Sequence, residues 1–195
     1  LIPIPVVLLD AYFETVPCNC VLLNNVQGAY LAARHLIRTC KTQPGYLHSA
    51  YPISNFAERS SGFYKAVRAA GMSSSRSIVH KLTPSMEGAY ADMMELIKNG
   101  EELAPCYFAD NDLIAVGAIK ALKESGYRIP QDIGIVGFDN LPLGSVIEPA
   151  LTTIHVPKQY MGEAAAQKLI DLLHTPGQPP TKTEVSTMLV KRGTV

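Results

Sequence analysis

The sequence has no tryptophan, and its 195 residues carry 17 Lys and Arg against 17 Asp and Glu. A formal charge of zero argues against a broad nucleic-acid face within these residues, because neutralising phosphates needs a surplus of basic side chains. No run of about 18 apolar residues occurs, so no membrane-spanning helix is expected. The opening LIPIPVVLLD lacks both a basic start and a small-residue cleavage site, so no signal peptide is expected. The first residue is Leu rather than Met, and the chain is read as a piece of a longer protein. Cysteine is scarce: Cys18, Cys20, Cys40 and Cys106 form no CxxC pair, which leaves small buried hydrophobes as the simplest reading and a reducing, cytoplasmic compartment as the best fit.

Signatures of chemistry are missing too. No GxSxG, HExxH, P-loop or GxGxxG occurs, and His35, His48, His80, His155 and His174 have no ligand-like spacing. Asp110 and Asp112 could in principle hold a hard cation, but adjacent acids at a helix start are more often a cap and a complement to the helix dipole. No nucleophile–base pair can be named, so the expectation is a protein that is not an enzyme and carries no metal or cofactor.

What is present is a regular alternation. Short apolar runs fall at 4–10, 20–24, 44–49, 77–82, 106–110, 133–139, 152–156 and 185–191, with helix-like segments at 26–39, 56–70, 85–99, 112–125 and 158–174. The runs are continuously apolar, as parallel strands buried on both faces should be, so the fold class is α/β with mostly parallel sheets. Asn55 reads as the cap of one helix, Thr83 with Pro84 as the opening of the next, and Asn111 or Asp112 as the opening of a third. HTPGQPP (174–180) is the clearest turn or linker.

Several runs end in polar side chains: LLD at Asp10, LLNN at Asn24 and Asn25, FADND at Asp110 to Asp112, and GFDN at Asp139 and Asn140. In a parallel α/β sheet, ligands bind at the carboxyl ends of strands, beside helix N-termini. Each residue taken alone reads as a cap; together they point to a shared binding edge for a small molecule. Arg59, one turn into the helix after Asn55, suits bidentate capture of polar groups and pairing with an Asp.

Three stretches, 10–37, 55–71 and 106–173, resemble the effector-binding core of the lactose-repressor family of bacterial transcription regulators. The most specific parts are NDLIAVGA (111–118), IPQDIGIVGFDN (129–140) and PALTTIHVP (149–157). The resemblance implies two Rossmann-like lobes of the periplasmic-binding-protein type with an effector in the cleft. It places residues 1–23 and 157–184 in a partial amino-side lobe and 24–156 with 185–195 in the carboxyl-side lobe. It also implies a cytoplasmic homodimer, with 84–94, 112–120 and 141–147 as dimer-surface candidates. DNA would be contacted only through an N-terminal headpiece missing from this chain, and the amino-side lobe is expected to be incomplete. The effector contacts it implies are Asp10, Asn55, Arg59, Asn111 and Asp139, with Tyr12, Phe13, Phe56 and Thr83 as weaker candidates. One Arg among Asp and Asn side chains suits a sugar or a nucleoside. Thr83 stands where some members place an aromatic, which tilts the expectation towards a sugar. The sequence departs from the family at Asn24-Asn25, where an Asp-Asn pair is usual, and at Thr39-Cys40-Lys41, where a Gly-His pair is usual. A sugar-binding component of a bacterial transporter is the alternative, and an upstream helix-turn-helix or signal peptide would separate the two.

Overall fold

The computed structural model describes residues 4–195; the first three residues of the expected 1–23 piece lie outside that range. Its strands are β1 (Val7–Leu9), β2 (Asn19–Leu23), β3 (Gly45–Ser49), β4 (Val79–Leu82), β5 (Cys106–Ala109), β6 (Gly134–Asp139), β7 (Thr152–His155), β8 (Lys182–Val185) and β9 (Met188–Val190). Its α-helices are α1 (Asn25–Cys40), α2 (Ser54–Ala69), α3 (Met86–Lys98), α4 (Asp112–Glu124), α5 (Pro142–Val146) and α6 (Lys158–His174).

The chain forms two compact units. The smaller comprises the residues up to Asn24 together with Val156–Thr187. It contains a parallel sheet ordered β1-β2-β8, packed against α6. The larger comprises Asn25–His155 and Met188–Val195. Its sheet is ordered β4-β3-β5-β6-β7-β9, parallel except where β9 runs antiparallel to β7. The run at 185–191, read from sequence as one strand, is therefore two. Val185 pairs with Leu23 in the small sheet and Met188 with His155 in the large one.

In the larger unit each strand turns successive side chains to opposite faces. Tyr46, Phe108 and Phe138 face one side, where Tyr46 and Phe108 stack with Phe63 of α2. Leu47, Tyr107, Ala109 and Ile135 face the other, in a cluster with Met93 of α3 and Ile114, Ala118 and Leu122 of α4. Helix α1 buries Gly28, Ala29, Ala32, Ala33 and Leu36, a stripe at three- and four-residue spacing. Its small residues let α2 approach closely: a Cβ on Gly62 would lie 2.2 Å from the carbonyl oxygen of Val26. Gly117 performs the same service between α4 and α3, where a Cβ would meet the Met86 carbonyl oxygen at 2.4 Å.

The helix starts are partly as the sequence suggests. Asn111 caps α4, its Oδ1 accepting the Ile114 N–H at 2.8 Å. Asn55 is not a cap: α2 begins at Ser54 after Ile53, so Asn55 sits inside the first turn. The cap of α3 is Ser85, whose hydroxyl accepts the Gly88 N–H at 3.1 Å, two residues beyond Thr83.

Candidate ligand-binding site

The carboxyl ends of β3, β5 and β6 and the first turns of α1 and α2 bring their polar residues to one edge of the larger unit, and Arg59 is at the centre. It is only 5% exposed, and an arginine is rarely buried so far unless its charge and donors are matched. Nε donates to Asn25 Oδ1 at 2.9 Å, Nη1 donates to the main-chain oxygen of Asp110 at 2.5 Å, and Nη2 reaches Asp139 Oδ1 at 3.4 Å. The guanidinium lies over the Phe138 ring, 3.8 Å from its centroid, and 5.5 Å from that of Phe56. Planar stacking with donors fixed around the rim pre-orients the fork. Asn25 is itself held, donating from Nδ2 to Glu58 Oε2 at 2.9 Å.

Asp139 is the least confined of these partners, with a quarter of its side chain exposed. Its backbone has φ of 109°, and Asn140 follows with φ of 49°, both in the left-handed region that L-residues avoid. Such conformations persist where surrounding contacts over-determine them, and here those contacts are visible. Asn140 Oδ1 accepts from Arg192 Nη2 at 2.7 Å, and its side-chain amide meets His155 Nδ1 at 3.1 Å. Arg192 also donates from Nη1 to the Leu151 carbonyl at 2.8 Å. The loop after β6 is thus tied back onto β7 and the C-terminal segment.

The three polar residues of FADND divide the work. Asp110 is wholly buried and receives three donors. The Tyr46 hydroxyl donates to Oδ1, while Oδ2 takes the Ser49 N–H at 2.7 Å and His48 Nδ1 at 2.7 Å. Burial, and then the neighbouring carboxylate, push the Tyr46 phenol far above its ordinary range, so it stays a donor. Asn111 is spent as the α4 cap. Asp112 braces the β6–β7 side: Oδ1 accepts from Thr153 Oγ1 at 2.5 Å and Oδ2 from the Leu141 N–H at 2.7 Å. A Cβ on Gly137 would collide with that carboxylate at 2.3 Å, which is why glycine precedes Phe138.

The expected contact residues are distributed unevenly. Asn55 and Arg59 share a face of α2 one turn apart, and the structure joins Arg59 directly to Asp139. Asn111 lies at the same edge, with its side-chain oxygen committed to the cap. Phe56 is buried and packs beside Arg59. Thr83 directly follows the edge strand β4, its N–H donating to Asp92 Oδ2 at 2.6 Å and its side chain closing over Gly88. Asp10, Tyr12 and Phe13 belong to the smaller unit: Asp10 has φ of 55°, Lys182 lies 3.9 Å above the Tyr12 ring, and Phe13 is 64% exposed. Sequence reasoning did not find the roles of Asn25, Tyr46, His48 and Phe138. The signal for Tyr46 and His48 was their two-residue spacing in YLHS, which places them on one face of β3. Among the described residues no cluster of three or more His, Cys, Asp or Glu is arranged to hold a metal ion, and no helix is long and apolar enough to cross a membrane.

The buried, rim-bonded Arg59 thus stands at the carboxyl edge of a parallel α/β sheet, the edge at which folds of this architecture bind small molecules. The family of periplasmic binding protein-like domains matches residues 33–195, and the chain belongs to it. Its relatives are regulators of the lactose-repressor family. The chain is 36% identical over 149 residues to the HTH-type transcriptional regulator GalS of Salmonella typhimurium, covering 76% of this chain and 44% of that protein. It is 33% identical over 177 residues to the HTH-type transcriptional repressor PurR of Klebsiella pneumoniae, covering 91% of this chain and 52% of the relative. A LacI-family transcriptional regulator from Enterococcus faecium, solved with bound ribose, superposes with a TM-score of 0.88 at 29% identity, covering 97% of this chain and 70% of that one. The chain spans about half the length of the curated relatives it matches.

Proposed function

We propose that the chain is the effector-binding part of a bacterial transcription regulator, and that it takes up a small neutral polar molecule, a sugar. The observation that carries this reading is Arg59, buried and stacked on Phe138 but joined to the partly exposed Asp139 by a long 3.4 Å contact. A ligand hydroxyl can bridge such a pair, accepting from the guanidinium and donating to the carboxylate, at no net charge cost. Ribose in the similar Enterococcus faecium regulator supports a sugar. So does Thr83, which offers no aromatic face to a base. Asn55 and Asn111 complete the proposed contact set on the larger unit, with Phe56 supplying apolar surface. The chemistry required is binding rather than turnover, in keeping with the regulators it is similar to.

In this reading the domain answers its effector by population shift: a ligand that binds one conformational state more tightly draws the protein into it. DNA would be held by a headpiece outside these 195 residues, and the regulator would act as a homodimer in the cytoplasm. A hollow of about 470 Å³ lies among α3, α4 and α5, its apolar floor of Met86, Val116, Ile119, Leu143 and Ile147 rimmed by Lys120, Lys123, Glu124 and Glu148, a surface that a second copy could cover. The four cysteines are free, as suits a reducing compartment.

A thermal-shift screen of sugars and nucleosides on the complete regulator tests the effector assignment, because a ligand that binds only the folded state raises its melting temperature. A sugar that raises Tm is expected. A shift with a nucleoside and with no sugar would replace the sugar reading.

A further inference from the structure

One buried acid at this edge is not used by the effector reading above. Asp110 is fully buried, and its carboxylate serves neither as a helix cap nor as the partner of Arg59. What it does is orient groups around itself. We propose that His48 is a further ligand-contact residue for a neutral polyol, and that Asp110 is the positioning residue that aims both His48 and Arg59. This inference rests on the reading of this edge as an effector site.

The geometry of His48 carries it. Its ring is fixed by two restraints: Nδ1 lies 2.7 Å from Asp110 Oδ2, and the ring centroid lies 5.0 Å from that of Tyr46. The carboxylate offers only lone pairs, and its other contacts are already a phenol O–H and a main-chain N–H. The histidine must therefore donate from Nδ1. In the neutral ring that assigns the lone pair to Nε2, an acceptor for a ligand hydroxyl. Nε2 has no partner among the described residues, and about a quarter of the side chain, 26%, is exposed. A histidine placed merely to satisfy a buried acid has no need to leave one nitrogen open in this way.

Asp110 also links the two candidate contacts. Its carboxylate holds His48, and its own main-chain oxygen accepts from Arg59 Nη1. The Tyr46 and Ser49 bonds to the carboxylate lock the peptide that carries this oxygen. Arg59 therefore offers donors and His48 an acceptor at set positions, a pairing that discriminates hydroxyl patterns better than an arginine alone.

The test uses the complete regulator with ¹⁵N-labelled histidine, titrated with D-ribose, D-galactose and cellobiose by NMR and calorimetry. The expected results are an Nδ1–H tautomer for His48 without ligand, and a shift of its Nε2 resonance with whichever sugar binds. His48→Ala should weaken that sugar about tenfold, the loss of one hydrogen bond in a desolvated site, and His48→Gln should recover part of the loss. Asp110→Asn should weaken the same sugar and narrow its preference over the other two. A merely structural Asp110 would change the melting temperature but neither the selectivity nor the Nε2 resonance. If Asp110→Asn fails to fold, the His48 variants and the resonance decide alone. An unmoved Nε2 resonance with unchanged affinity in His48→Ala overturns this inference. If Arg59→Ala still weakens binding in that case, the effector reading stands. Binding of none of the three sugars by the native protein overturns both.

Discussion

Helices α4 (DLIAVGAIKALKE) and α6 (KQYMGEAAAQKLIDLLH) both carry apolar side chains at helical spacing, α4 more of them, and they have opposite fates. In the larger unit, α4 buries nine of its thirteen residues, Asp112 among them. In the smaller unit, α6 buries only Met161, and Leu169, Ile170 and Leu173 are 37%, 44% and 61% exposed. The strands differ likewise. Those of β5 are buried throughout, whereas β8 buries only Val185. The reason is the number of layers. The central strands of the larger sheet are covered by α1 and α2 on one face and by α3 and α4 on the other, but the three-stranded sheet has α6 as its helix. An apolar stripe stabilises only in proportion to the surface that covers it. Ile4, Val6, Leu9 and Phe13 add to the exposed apolar surface of the smaller unit, which makes it the part of this chain prone to association.

The contrast can be broken in order of effect. Phe108→Ala should cost about 3–5 kcal/mol in denaturant unfolding, because it empties the stack with Tyr46 and Phe63, whereas Leu173→Ala should stay within about 0.5 kcal/mol. Equal costs would show that α6 is covered in solution. Arg59→Ala should weaken effector binding by about 2–4 kcal/mol in calorimetry on the complete protein, since a charged donor is lost from a desolvated edge. Unchanged affinity would remove Arg59 from the site. Asn111→Ala should cost about 1 kcal/mol through the lost α4 cap. Asn55→Ala removes no cap, and weaker effector binding in the same calorimetry is its expected effect. Hydrogen exchange should find the slowest amides in β3, β5 and β6 and faster exchange in β1 and β8.

The smallest effect concerns the exposed Arg128–Asp132 pair, 2.6 Å apart, which holds the Asp132 carboxyl down to about 2. A lowered folded-state value adds stability above the ordinary carboxylate range, near about 4, that is lost as pH falls towards 2. In Arg128→Ala, Asp132 should titrate close to an ordinary aspartate in an NMR pH series, and that acid-dependent contribution should vanish. No movement of its titration would mean that the arginine is not the cause.

Much of this molecule was legible in the order of its residues. Continuous apolar runs announced parallel strands, and the ranges expected for α4 and α6 lie within one residue of those observed. Local physics suffices there, because burial on both faces and helical spacing are written in neighbouring side chains. The break at 186–187 was not legible, since the residues on either side are equally suited to a strand and only the two sheets decide which joins which. At the site, the types of Arg59, Asp139 and Asn111 could be named because they fall at strand ends and helix starts.

Their division of labour could not. Nothing local in FADND says that Asp110 turns to Tyr46 and His48, that Asn111 caps, or that Asp112 ties down Thr153 and Leu141. Sequence alone determined which segments end in polar groups at one edge of a parallel sheet, because strand and helix periods are properties of adjacent residues. Tertiary structure alone decided which groups spend their hydrogen bonds inside the protein and which, like His48 Nε2, meet no partner among the described residues, because a buried donor or acceptor must find its partner wherever the packed elements place one.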